Sequence, residues 1–146
     1  MKIDLIKKWE RNKHKLDNFF RTNKQSEFSN YKSIVKKIFE LCINDDGVGA
    51  KWDFDNMVVI DHGDYQGTQL FIVPLRTYQP GVADYLITHT YYGSCSGCDT
   101  LQAICSYSDG LPDNNQVKEY MTLSLHLVQR MKCIGDLYND KIYFEN

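Results

Sequence analysis

Cys95 and Cys98 stand three positions apart among small residues, in the run Tyr91-Tyr92-Gly93-Ser94-Cys95-Ser96-Gly97-Cys98-Asp99-Thr100-Leu101. At that spacing two thiolates can grip one soft ion. His62, with Asp61, Asp64 or Cys105, would complete a tetrahedral zinc site, so the metal expectation is Cys95, Cys98 and His62. The same thiols could instead act as nucleophiles or redox groups. Cys98 lies at the start of an expected helix, where the dipole favours a thiolate. A third chemistry is anion capture. Gly93, Ser94, Ser96, Gly97 and Thr100 offer backbone N–H groups and hydroxyls at that helix start. Asp99 competes with such an anion, because its carboxylate can cap the helix itself. The plain alternative is a tight small-residue turn with reduced cysteines and an Asp cap.

Each chemistry has a check elsewhere in the chain. A thioredoxin-type fold needs alternating βαβ units and a cis-proline candidate, and the sequence offers neither. The loop lacks the Lys-Ser/Thr ending of a phosphate loop, and serine-triad, Rossmann and kinase patterns are missing. His62 between Asp61 and Asp64 can serve as a base or a ligand, or belong to a polar turn. His89 alternates with Ile87 and Tyr91, as a satisfied sheet histidine does. His14 and His126 lie in helical patterns. Tyr85, Tyr91 and Tyr92 can stack on a base or pack along a strand.

The elements that must hold these residues follow from periodicity. Ile3, Ile6, Trp9, Leu16, Phe19 and Phe20 predict an amphipathic helix over 3–21. Phe28, Tyr31, Ile34, Val35, Ile38 and Cys42 predict a second, stopping before Asn44-Asp45-Asp46-Gly47. Strands are expected at Lys51–Ile60, Thr68–Leu75 and Val82–Tyr92, separated by a loop at 61–67 and a turn at 77–81. Asp99–Tyr107 predicts a short helix. Val117, Met121, Ser124, Leu125, Val128 and Met131 share one face of a long helix, which Gly135 would end. Leu137–Phe144 could add a strand.

This order predicts an α+β fold. A small antiparallel meander of three to four strands packs against N-terminal and C-terminal helices. The chain is expected to form a single domain over 1–146, with a helical pair at 1–43, the meander at 50–92, and the cysteine loop with its helices at 93–146. In a meander the connections after the first and third strands lie at one end of the sheet. Asp61, His62 and Asp64 should therefore approach Gly93, Ser94, Cys95, Ser96, Gly97, Cys98, Asp99 and Thr100, and these residues form the expected ligand site.

Composition narrows the class. Hydrophobic residues make up 42% and charged residues 25% of the chain, values of an ordinary water-exposed globule. No apolar run is long enough for a membrane span, and residues 1–9 lack a signal-peptide core, so a cytoplasmic location is expected. Five cysteines, an odd number, argue against a disulfide framework. Cys42 and Cys133 sit in apolar helical patterns and read as core residues. Residues 1–40 hold 11 Lys+Arg against 5 Asp+Glu, so this front could touch nucleic acid or an acidic partner. Interleaved Asp4, Glu10 and Asp17 favour a solvated helix face instead.

The 91–101 run resembles a motif of small, uncharacterised bacteriophage and prophage proteins, in which a strand leads into Gly-Ser-Cys-Ser-x-Cys-Asp. Asp61-His62-Gly63-Asp64-Tyr65-Gln66-Gly67-Thr68 is similar to a preceding part of the same pattern. The resemblance covers roughly the middle third of the chain and implies a phage origin, in the host cytoplasm. It further implies an accessory or anti-defence factor. The expected function is a binding protein that captures a host protein, a nucleic acid or a nucleotide signal without turnover. The alternative is a small zinc- or thiol-dependent hydrolase centred on the Cys-x-x-Cys loop. Self-association into a homo-oligomer stays open.

Overall fold

A computed structural model describes residues 4–44, 51–95, 97–105 and 109–135. The first helix, α1 (Leu5–Thr22), begins where the Asp4 carboxylate accepts the Lys7 N–H at 3.0 Å. Its apolar stripe buries Trp9, Leu16 and Phe20. The second, α2 (Tyr31–Ile38), is capped by Asn30, whose side chain accepts the Ser33 N–H at 2.8 Å. It runs into one wider turn over Phe39–Ile43, closed by the Asn44 N–H on the Phe39 carbonyl at 2.8 Å. The Asn12 amide of α1 donates to the Cys42 carbonyl of that turn at 3.2 Å, so a buried polar side chain joins the two helices.

The expected meander is present, extended by a short fourth strand. β1 (Val58–Gly63), β2 (Gly67–Pro74), β3 (Tyr85–Tyr92) and β4 (Lys132–Cys133) lie in that order, each antiparallel to the next. The first strand sits further along the chain than hydropathy predicts. Residues 51–57 form only a bridge from Trp52 to Leu75 and a tight turn over Phe54–Asn56. β1 instead takes in Asp61 and His62, which were expected in a loop, and pairs them with Gln69 and Thr68. The cause is a glycine hairpin. Gly63 faces Gly67 across the connection 64–66, at a positive φ of 142°. A Cβ on Gly63 would sit 2.2 Å from the Gln66 carbonyl oxygen, so the strands can close so tightly only with glycine there.

After β3, α3 (Thr100–Cys105) and α4 (Asn114–Gln129) follow. Asp113 and Gln116 form a reciprocal capping box on α4, with bonds of 2.8 and 2.9 Å. α4 ends at Gln129, short of the expected stop at Gly135. Lys132 and Cys133 leave the helical path to pair with Ile87 and Leu86. Two residues are too few to show strand alternation, so this element is silent in the sequence. The expected strand at 137–144 lies outside the described residues.

Helices cover one face of the sheet. Phe71, Val73, Leu86, Thr88 and Thr90 point into that layer and are buried. Thr88 fastens it by donating to the Leu127 carbonyl of α4 at 2.7 Å. The centre of the core is an aromatic trio. Phe20, Phe28 and Tyr120 have ring centroids 4.9–5.2 Å apart. The other sheet face leaves Val58, Ile60 and Tyr91 exposed.

Cys42 and Cys133 are buried, as their apolar settings predict. Burial pushes the Cys42 thiol up to about 12 from 9.0. Folding therefore favours the neutral thiol, and its contribution is complete below the ordinary thiol value. It is lost progressively as pH rises from about 9 through about 12. Urea unfolding at about pH 10.5 should show up to about 2 kcal/mol less stability than at neutral pH from this group alone. Tyr31 and Tyr120, also raised by burial, add to the loss above about pH 10. Cys42→Ala should be less stable at neutral pH and flatten the first part of this alkaline decline. An unchanged slope in the variant would remove Cys42 as its source.

Candidate functional site: a cysteine loop and the polar pocket behind it

The meander brings the two predicted clusters to one end of the sheet. Tyr92, the last residue of β3, pairs with Gly67 at the base of the β1–β2 hairpin. Its hydroxyl donates to the Asp61 carboxylate at 2.5 Å and also lies 3.1 Å from the Gly63 carbonyl. Bonding to the Asp61 carboxylate pushes the Tyr92 phenol up to about 12. Gln69 donates to the other Asp61 oxygen at 3.2 Å. Asp61 is thus a brace between β1, β2 and β3.

His62 takes a different position. Strand alternation puts it on the sheet face opposite Asp61 and Tyr92, in register with Thr68 and Tyr91. Asp64 is exposed in the hairpin connection. Among the described residues, no three His, Cys, Asp or Glu side chains cluster as a metal set. Cys95 and Cys98 would supply two thiolates to a soft ion, and His62 does not stand with them to supply a third ligand.

Asp99 organises the loop. It is only 6% exposed, and all its bonds are internal. One oxygen accepts the Tyr31 hydroxyl at 2.8 Å and the Gln102 N–H at 3.1 Å; the other accepts the Gly93 N–H at 2.9 Å. The Tyr31 hydroxyl also accepts the Leu101 N–H at 3.2 Å. The N–H groups of Gly93, Leu101 and Gln102, which an anion at this helix start would need, are therefore taken by the chain's own side chains. Of the expected cradle Gly93, Ser94, Ser96, Gly97 and Thr100, the Gly93 N–H is thus held by Asp99, a carboxylate of the chain itself.

Gly93 is the other fixed point. A Cβ there would lie 2.4 Å from the Cys98 carbonyl oxygen and 2.7 Å from the Cys98 Sγ. Cys98 therefore folds directly over Gly93, and only a residue without a side chain permits the approach. Ser94, Cys95, Gly97 and Cys98 remain exposed on the outside of this turn, while Ser96 lies outside the described residues.

The two thiols meet. The Sγ atoms are 2.8 Å apart. A turn holds them, with the Cys98 N–H on the Cys95 carbonyl at 3.1 Å. The Cys95 thiol, the Cys95 N–H at 3.1 Å and the Ser94 hydroxyl at 3.9 Å can all donate to the Cys98 sulfur. These donors, the Cys95 thiol foremost, hold the Cys98 thiol below its ordinary value. In its protonated form Cys98 can instead donate to the Cys95 carbonyl at 3.3 Å.

Behind the loop lies a pocket of about 180 Å³ lined by Ser29, Asn30, Tyr31, Gln69, Tyr92, Gly93, Asp99, Leu101 and Gln102. Gly93 and Asp99 were expected at the site. Asn30, Gln69 and Gln102 were not, because no motif joins residues so far apart in the chain. The Gln102 amide donates to the Gly93 carbonyl at 3.1 Å, as Gln69 does to Asp61, so each side-chain carbonyl is left for the pocket among the described residues. Thr100 parts from this group. It opens on a separate groove of about 400 Å³ between α3 and α4, beside Lys118, Glu119 and His126.

The basic front is partly self-neutralised. Lys13 pairs with Glu10 at 2.9 Å, Arg21 with Asp17 at 2.6 Å and Lys37 with Glu40 at 2.7 Å, all on the surface. Among the described residues no helix is long and apolar enough to cross a membrane. No protein-family profile, curated protein or solved structure matches the chain.

Proposed function

We propose that this chain is a binding protein that captures a small polar ligand of the nucleobase or nucleoside class, without turnover. The ring of amides and hydroxyls around the pocket behind the cysteine loop carries this reading. Gln69 and Gln102 each keep a side-chain carbonyl and a second amide hydrogen, and Asn30, whose oxygen caps α2, keeps its amide hydrogens, a set of donors and acceptors that suits a base edge. Tyr92 offers an aromatic surface for stacking. The one carboxylate in the wall, Asp99, is satisfied internally, so an uncharged heterocycle suits the pocket better than a phosphate. Its volume of about 180 Å³ lies below the roughly 300–1,000 Å³ of ordinary ligand pockets, so it suits a single base with any sugar left outside. The resemblance to phage proteins supports a role in a host cell, with sequestration of a nucleotide-derived signal as the corresponding task.

Calorimetric titration with adenosine, guanosine, cytidine and uridine tests the reading. One of the four should bind, and Gln69→Leu and Gln102→Leu should each weaken that affinity about tenfold by removing one hydrogen-bonding pair. Absence of heat with all four at millimolar concentration, or affinity untouched by both substitutions, would remove the pocket as the ligand site.

A further inference from the structure

We propose that Cys95 and Cys98 form a redox-active dithiol that a small-molecule disulfide converts into an intraloop disulfide, with Cys98 as the attacking sulfur. The geometry carries the inference, and it stands independently of what fills the pocket. The Sγ separation of 2.8 Å leaves under 1 Å to close to a covalent S–S bond of about 2.05 Å. The Cys98 N–H to Cys95 carbonyl bond makes the pair the two ends of one tight turn, within the reach a disulfide requires. Both residues are exposed, so an outside reagent has access, whereas Cys42 and Cys133 are buried.

The two sulfurs have different surroundings, and this sets the order of events. Cys98 receives the donors that stabilise a thiolate: the Cys95 thiol, the Cys95 N–H and the Ser94 hydroxyl. Its anion attacks one sulfur of the external disulfide, for which oxidised glutathione is the probe. A Cys98–glutathione bond forms, the glutathione S–S bond breaks, and the first glutathione leaves as a thiolate that takes a proton. Cys95, already 2.8 Å away, then loses its proton to the second leaving glutathione as its sulfur attacks the Cys98 Sγ. The net change oxidises two protein thiols to one disulfide and reduces one small disulfide to two thiols. An external dithiol of lower reduction potential should reverse the reaction.

Intact-protein mass spectrometry after incubation with oxidised glutathione tests the proposal. The wild-type chain should lose the mass of two hydrogens, carry no glutathione on Cys95 or Cys98 and yield a Cys95–Cys98 linked peptide, with any glutathione on the half-buried Cys105 mapped separately. Cys95→Ser should stop at the mixed disulfide, with one glutathione on Cys98. Cys98→Ser should be modified at Cys95 at least tenfold more slowly. Two results would overturn the proposal. One is a wild-type chain whose two thiols stay free while an unfolded peptide carrying the same Cys-x-x-Cys run becomes oxidised. The other is a Cys98→Ser variant modified as fast as Cys95→Ser. Since both side chains face solvent, a thermal melt of each variant close to wild type verifies that the comparison is between folded proteins.

Discussion

Asp99→Ala is expected to destabilise the chain by about 3–5 kcal/mol, measured as a lower urea midpoint with an unchanged slope. The carboxylate accepts from Tyr31, Gly93 and Gln102, and removing it leaves the buried Tyr31 hydroxyl and Gly93 N–H without that acceptor. Each buried donor left unpaired costs about 1–3 kcal/mol. Asp99→Asn supplies a graded comparison. One amide oxygen can still serve Tyr31 and Gln102, but the amide nitrogen then confronts the Gly93 N–H, donor against donor. A loss of about 1–3 kcal/mol, between wild type and the alanine variant, should follow. If Asp99→Ala shifts stability by less than about 0.5 kcal/mol, the carboxylate is not the clamp that the geometry describes.

Gly93→Ala should damage the cysteine loop directly. The new Cβ would overlap the Cys98 carbonyl carbon and oxygen, at 2.7 and 2.4 Å, and backbone cannot swing aside as a flexible side chain can. The turn has to lift away from β3, and the Gly93 N–H to Asp99 bond at 2.9 Å goes with it. A loss of at least about 2 kcal/mol is expected, roughly 6 °C or more in melting temperature for a domain of this size. The thiol pair should also separate, slowing disulfide closure. Gly97→Ala is the matched control in the same loop. Its Cβ would meet only the Cys95 Sγ, at an ordinary 3.9 Å. Equal melting temperatures for the two variants would show that the close approach at Gly93 is not needed.

Periodicity exposed the frame of this molecule. Apolar spacing located α1, α2 and α4 because each buries one stripe, and the meander followed from three short strand-like runs joined by short connections. That topology also put Asp61 and Tyr92 at one end of the sheet, where they touch. What escaped was set by pairing rather than by pattern. Asp61 and His62 look like loop residues by composition, yet the Gly63–Gly67 approach draws them into β1. That same registration turns His62 to the face away from Asp61, which strand parity reveals only once the register is known. Asp99 could be read as a helix cap from its place before α3. Its second oxygen on Gly93 and its bond to Tyr31, 68 residues away, could not. The amides of the pocket come from α2's cap, β2 and α3, and only packing assembles them.

The aromatic trio has a consequence for the order in which the chain acquires its structure. Phe20 and Phe28 emerge early, while Tyr120, which packs on both and bonds to Gln25 95 residues away, emerges late. The strand pairs β1–β2 and β2–β3 are neighbours in the chain and can form as soon as they are made. The helical layer cannot. During synthesis at about 5–20 residues per second, the greasy side of α1 and α2 waits several seconds for α4 to arrive. Over that interval the nascent chain presents two bare phenylalanines to whatever holds young polypeptides, and the closure of this layer is a long-range docking of α1 against α4.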